Sequence, residues 1–205
     1  MGEETRLSSQ VEIREVGEGE EKQNRLQGYA LVFDSVSEDL GFREVIAKGA
    51  LDNTNMDDVV LNINHNNSNV LARNNKNEGL GSLNLSVDDK GLFFDAEPTN
   101  TTYARDLIEN MKAGVLGKCS FAFRIDWSDP DSQAWDFSND DFDMRTIKKI
   151  KRISDVSIVT SPAYESTSST VYKRAKEDRR KELDHQRTLD IYDYEKNKME
   201  GLNNV

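Results

Sequence analysis

Among 205 residues there are two histidines and one cysteine, His65, His185 and Cys119, so the search for a proton-transfer group or a thiol nucleophile is short. A general base must sit within hydrogen-bond reach of the atom it deprotonates, which favours a position on a rigid element. His65 closes the β-prone run Val59-Val60-Leu61-Asn62-Ile63-Asn64-His65, ahead of Asn66-Asn67-Ser68-Asn69, which reads as an Asn-rich turn. His185 lies in a charged C-terminal segment and is the poorer base. A lone histidine between asparagines also fits a solvated turn residue, so the chemical reading of His65 requires a partner.

Ser120 is the candidate partner. It enters the run Lys118-Cys119-Ser120-Phe121-Ala122-Phe123-Arg124-Ile125 directly after the turn Gly114-Val115-Leu116-Gly117. Side chains alternate along a strand, so Ser120, Ala122 and Arg124 share one face while Cys119, Phe121, Phe123 and Ile125 share the other. If the phenylalanines face the core, Ser120 faces a cleft or solvent, and Cys119 becomes a small buried hydrophobe. An ordinary strand serine fits the same pattern.

An imidazole acting as base needs an acceptor that fixes its tautomer and stabilises its cation. Asp155, within Ile153-Ser154-Asp155-Val156-Ser157-Ile158-Val159, is the candidate, because a carboxylate in so apolar a run is costly unless paired. An edge-strand acid that discourages aggregation is the alternative. Asp95 and Glu97, on one face of the Phe93-Phe94 strand, stand in reserve. A hydroxyl, an imidazole and a carboxylate in contact would support acyl transfer, although no pattern identifies the N–H donors that an oxyanion requires.

The elements that must position these groups are short strands: 28–33, 43–46, 59–65, 70–73, 82–87 and 92–97, with Asp88-Asp89-Lys90-Gly91 as a hairpin turn. The period changes at 101–113, where Tyr103, Leu107, Ile108 and Met111 share a helical face, a threonine can cap and Gly114 can stop the helix. Residues 118–125 form a further strand and 146–160 one or two more. The acidic stretch 126–143, with Trp127 and Trp135, reads as a long hairpin loop. After Pro162-Ala163-Tyr164 comes 165–170, of linker composition, then a charged segment read as a helix or a mobile tail with only a loose apolar period.

Composition excludes several classes. The 27 basic and 38 acidic side chains leave a net charge of −11, with −12 on residues 1–165, which opposes a nucleic-acid surface. A lone cysteine excludes an intramolecular disulfide and a cysteine-built metal site, and neither metal nor organic cofactor is expected. No apolar run approaches the roughly 18 residues of a membrane span, and nothing behind MGEETRLSSQ resembles a secretory signal, so a soluble cytosolic chain is expected.

Four blocks resemble the prohead maturation proteases of tailed bacteriophages: GYALVFDSVSEDLGFREVIAKGAL at 28–51, NINH at 62–65, TTYARDLIENMKAGVLGKCSFAFRI at 101–125 and ISDVSIVTSPAY at 153–164. This family is similar in fold to herpesvirus assemblins. The resemblance implies an α+β, mostly β fold: a closed antiparallel barrel of the herpesvirus-protease type with flanking helices. It divides the chain into an extension at 1–24, a protease domain at 25–165 and a charged tail at 166–205. It implies a serine endopeptidase with His65 as base, Ser120 as nucleophile and Asp155 as the acid, where the family more usually carries Glu. Capsid and scaffold proteins, and the enzyme itself, are the implied substrates, cleaved inside the assembling prohead in the host cytoplasm. No nucleic-acid or membrane partner is expected, and a homo-oligomer is left open. The tail is read as targeting the enzyme to the scaffold, with self-cleavage near 165–170 releasing the domain. The competing readings are a non-enzymatic assembly or scaffolding protein of the same fold, a thiol hydrolase built on Cys119 and His65, and a nucleic-acid-binding module.

Overall fold

The computed structural model describes residues 3–17, 23–139, 141–160 and 165–202, with side chains in the last stretch at 170–192 and 196. Twelve strands and two α-helices occur among them: β1 (Glu4–Gln10), β2 (Glu12–Val16), β3 (Gln23–Val32), β4 (Arg43–Ile46), β5 (Val60–Ile63), β6 (Asn66–Arg73), β7 (Ser82–Val87), β8 (Gly91–Glu97), α1 (Thr102–Lys112), β9 (Lys118–Arg124), β10 (Gln133–Asp136), β11 (Met144–Ile147), β12 (Arg152–Val159) and α2 (Glu165–Leu202). Nine strands form one sheet in the order β1-β9-β12-β5-β6-β7-β8-β3-β2, and three form a smaller one, β10-β11-β4.

The large sheet curls into a nearly closed, largely antiparallel barrel. Its two ends meet where β1 lies against β3: Ser9 Oγ donates to the Tyr29 carbonyl at 2.8 Å and accepts from the Tyr29 N–H at 3.2 Å. Period-two alternation fills the interior, with Leu26, Leu61, Leu71, Phe94, Phe121 and Phe123 all buried in one core. Helix α1 turns Ala104, Leu107, Ile108 and Met111 into that core and ends at Gly114, whose φ of +70° suits a residue without Cβ. Thr101 occupies the cap position but makes no side-chain capping bond.

Three strand pairings run parallel rather than antiparallel: β12 with β5, β6 with β7, and β11 with β4. Other departures from the sequence reading are local. Residues 1–24, expected as an extension, contain β1 and β2, which pair with β9 and β3. The 126–143 loop contains β10, paired antiparallel with β11, so Trp135 is a strand residue. The Ser-rich stretch of linker composition opens α2 from residue 165, and residues 161–164 lie outside the described ones. Helix α2 docks through buried Val171 and through Tyr172, whose ring stacks near Phe42 and Trp135 and whose hydroxyl donates to Asp143 at 2.5 Å. From 176 to 192 every residue is exposed.

Four charged side chains clamp the small sheet to the barrel. Arg6 donates to Glu44 and Glu4, each at 2.7 Å, and Arg145 donates to Glu4 at 2.6 Å and to Glu44 at 2.8 Å. None of the four is more than 4% exposed. The guanidinium of Arg145 also lies within 6 Å of the Trp127 and Trp135 ring centroids and donates to Gln133. Burial would raise the Glu4 carboxyl, but the hydrogen bonds and charges of Arg145 and Arg6 outweigh it and hold it below its ordinary range.

Removing one member strands its partners without water, so Arg145→Met is expected to cost about 3–5 kcal/mol in urea unfolding. A carboxyl depressed by folding stabilises the protein above its unfolded pKa of about 4.3, a contribution that fades as pH falls through the lower folded value. The unfolding midpoint should therefore fall in that acid window. Glu4→Gln should lower stability at pH 7 and flatten the acid limb.

Candidate active site

The residues singled out from sequence lie about 90 and 55 positions apart, and two strand pairings bring them together. On β9 the expected alternation holds: Cys119, Phe121 and Phe123 enter the core, while Ser120 lies on the outer face. Ser120 stands directly opposite Leu7 of β1 on one side and Ser157 of β12 on the other. Strand β12 carries a bulge between Ile153 and Asp155. That extra residue lets Ile153, Val156 and Ile158 all face the core while Asp155 and Ser157 share the outer face with Ser120. Asp155 stands opposite Ala122, whose small side chain leaves the carboxylate room.

His65 arrives from the parallel neighbour of β12. Strand β5 stops at Ile63, which pairs with Asn66, so Asn64-His65 is a two-residue hairpin turn rather than a strand end. Both residues have positive φ, 52° and 55°, the signature of a type I′ turn. Asparagine and histidine are both among the residues enriched in that region, which still costs a residue with a Cβ on the order of 1 kcal/mol. The Asn-rich 66–69 segment is not the turn but the bulged start of β6, where the register with β5 shifts.

The turn folds over the outer face, and the imidazole bridges the other two groups. Nδ1 lies 2.7 Å from Asp155 Oδ1 and Nε2 lies 2.8 Å from Ser120 Oγ. An ionised carboxylate only accepts, so Nδ1 carries the proton and Nε2 is left to accept from the serine hydroxyl. Ser120 is buried and the Asp155 side chain is 10% exposed, whereas the His65 side chain keeps 17% of its surface. Solvent therefore meets this chain of groups mainly at the imidazole.

The other candidates lie elsewhere. Asp95 pairs with Arg25 at 2.8 Å, and Glu97 faces the same guanidinium at 3.5 Å. His185 is exposed on α2. Cys119 is completely buried on the core side; desolvation, with a lesser contribution from the Asp155 charge, pushes its thiol far above the ordinary range. Among the described residues no cluster of His, Cys, Asp and Glu is arranged to hold a metal ion.

Comparison with known proteins bears on the family and the fold. A profile of the family described as caudovirus prohead serine protease matches residues 9–182. The chain belongs to that family. As a prohead maturation protease it also shares its fold with the capsid assembly protease gp21 of bacteriophage T4, at a TM-score of 0.55 and 12% identity over 78% of this chain and 98% of that one. No curated protein matches it.

What the sequence reading of this prohead protease missed is Ser157, whose hydroxyl accepts the His65 backbone N–H at 2.8 Å. Its place two residues after Asp155 was the available signal, since both share a face. The parity of β9 yields a direct expectation. Cys119→Ala should leave peptidase activity within about twofold of wild type, and thiol reagents should react with Cys119 far more slowly in native than in unfolded protein, as followed by mass spectrometry.

Proposed function

We propose that this prohead protease is a serine endopeptidase in which Ser120 is the nucleophile, His65 the general base and Asp155 the orienting acid. The observation that carries the reading is the unbroken line of hydrogen bonds from Ser120 Oγ through His65 to Asp155, 2.8 and 2.7 Å long. Ser120 Oγ attacks the scissile carbonyl as its proton passes to His65 Nε2, and the Asp155 carboxylate stabilises the imidazolium that forms. The imidazolium then gives its proton to the departing amine. Water, activated by the same imidazole, hydrolyses the acyl-enzyme. Aspartate has one methylene fewer than glutamate, and the short distance to Nδ1 supports its fitness as the acid.

The substrates are the scaffold and capsid proteins of the assembling prohead and, near residues 165–170, the protease itself. Family membership and the printed name of the T4 structure, a capsid assembly protease, support that reading. Cleavage takes place inside the prohead in the infected cell; no helix among the described residues is long and apolar enough to cross a membrane.

Ser120→Ala should abolish cleavage of the scaffold and capsid proteins and of the tail while leaving the thermal midpoint and circular dichroism unchanged. Asp155→Asn should keep the fold and reduce kcat by about 10⁴-fold, because the amide favours the wrong tautomer. A Ser120→Ala chain that still cuts these proteins at the wild-type rate would refute the assignment. One whose proheads mature normally without cleavage would favour an assembly factor instead.

A further inference from the structure

The Asn64-His65 turn raises a question of hydrogen-bond accounting. In a two-residue hairpin the N–H groups of both turn residues point away from the ladder, and a buried N–H left without an acceptor is costly. Here β12 supplies both acceptors. The Asn64 N–H meets the Ile158 carbonyl at 3.1 Å, and the His65 N–H meets Ser157 Oγ at 2.8 Å. A third bond returns from the Thr160 N–H to Asn64 Oδ1, also at 3.1 Å.

Of these three bonds, the one from Ser157 is made to His65 itself and depends on a side chain of β12. Ser157 is fully buried, lies directly opposite Ser120, and shares its face with Asp155. Its own proton is directed to the Asn62 carbonyl at 3.4 Å, which leaves a lone pair for the His65 N–H. The imidazole sits on a left-handed backbone with φ of 55°, a conformation that carries a modest cost for a residue with a Cβ, and the bond to Ser157 helps to secure it.

We propose that Ser157 is a positioning residue: its hydroxyl anchors the left-handed backbone of His65 so that the imidazole spans Ser120 and Asp155 at once. This rests on the assignment of those three residues as the reacting groups. Asp155 and Ser157 then act from one strand on two parts of the same residue, the carboxylate on the ring and the hydroxyl on the main chain. Without the hydroxyl the turn relaxes, and the ring loses its alignment with Ser120 more than the substrate loses its binding.

The test is steady-state cleavage of a scaffold-derived peptide by full-length wild type, Ser157→Ala, Ser157→Cys and Ser157→Thr, with His65→Ala and Ser120→Ala alongside. A misplacement on the ångström scale costs up to about 100-fold. Ser157→Ala should therefore lose about 10- to 100-fold in kcat with KM within about twofold, and its Ser120 should react with a fluorophosphonate more slowly by a similar factor. Ser157→Thr, which keeps the hydroxyl, should recover most of the rate. If Ser157→Ala fails to fold, the near-isosteric Ser157→Cys, whose thiol is a weak acceptor, is judged by the same criterion. A folded Ala or Cys variant with wild-type kcat, whatever its thermal midpoint, overturns the proposal and leaves Ser157 a purely structural hydroxyl. His65→Ala and Ser120→Ala separate the two levels. If both are inactive, a folded Ser157 variant with wild-type kcat sinks only the role of Ser157; if either cleaves normally, the underlying assignment fails and the proposal with it.

Discussion

The arrangement depends on the place of β12 between two neighbours of opposite direction. Antiparallel pairing with β9 sets Ser157 against Ser120 and Asp155 against Ala122, while parallel pairing with β5 brings the Asn64-His65 turn over the same face. A slip of one residue on either side would send Asp155 into the core or Val156 out of it. The apolar face of β12 is thus what holds the polar face in register. Burial of Val156, Ile158 and Phe121 specifies the alignment that puts a carboxylate, a hydroxyl and an imidazole within reach of one another.

Much of this was legible in the residues alone. Alternation along 118–125 separates Cys119 from Ser120, because period two leaves a strand residue only two choices of side and the phenylalanines settle which is inner. The helix over 102–112 was equally plain from its apolar face and Gly114. The turn was misplaced by two residues because Asn66-Asn67-Ser68-Asn69 has turn composition, whereas the bulge at the start of β6 is decided by pairing with β5. Strand β10 was hidden in an acidic loop for a similar reason. A four-residue strand is defined by its partner β11 more than by its own propensity.

The buried charges were illegible for a different reason. Glu4, Arg6, Glu44 and Arg145 lie up to 141 positions apart, and each, taken singly, has the composition of a surface residue. Only the closure of β1 against β9 and the parallel pairing of β11 with β4 make them neighbours. Two arginines and two glutamates neutralise one another inside, so the net charge of −11 falls entirely on the rest of the chain. The first residues of the chain, which look dispensable as sequence, contribute two of those four charges and the strand beside Ser120.

Helix α2 runs for 38 residues, which at 1.5 Å per residue makes a rod about 57 Å long. Among the described residues its contacts with the rest of the fold gather near its first turns, at Val171, at Tyr172, at Arg174 over the Trp127 ring and at the ion pair of Lys176 with Asp143. A lever fastened so near one end sets a distance rather than a surface. Whatever grasped its outer turns would stand several nanometres from the aromatic socket formed by Phe42 and Trp135, and each residue removed from the rod would shorten that span by about 1.5 Å and swing its heading by about 100°.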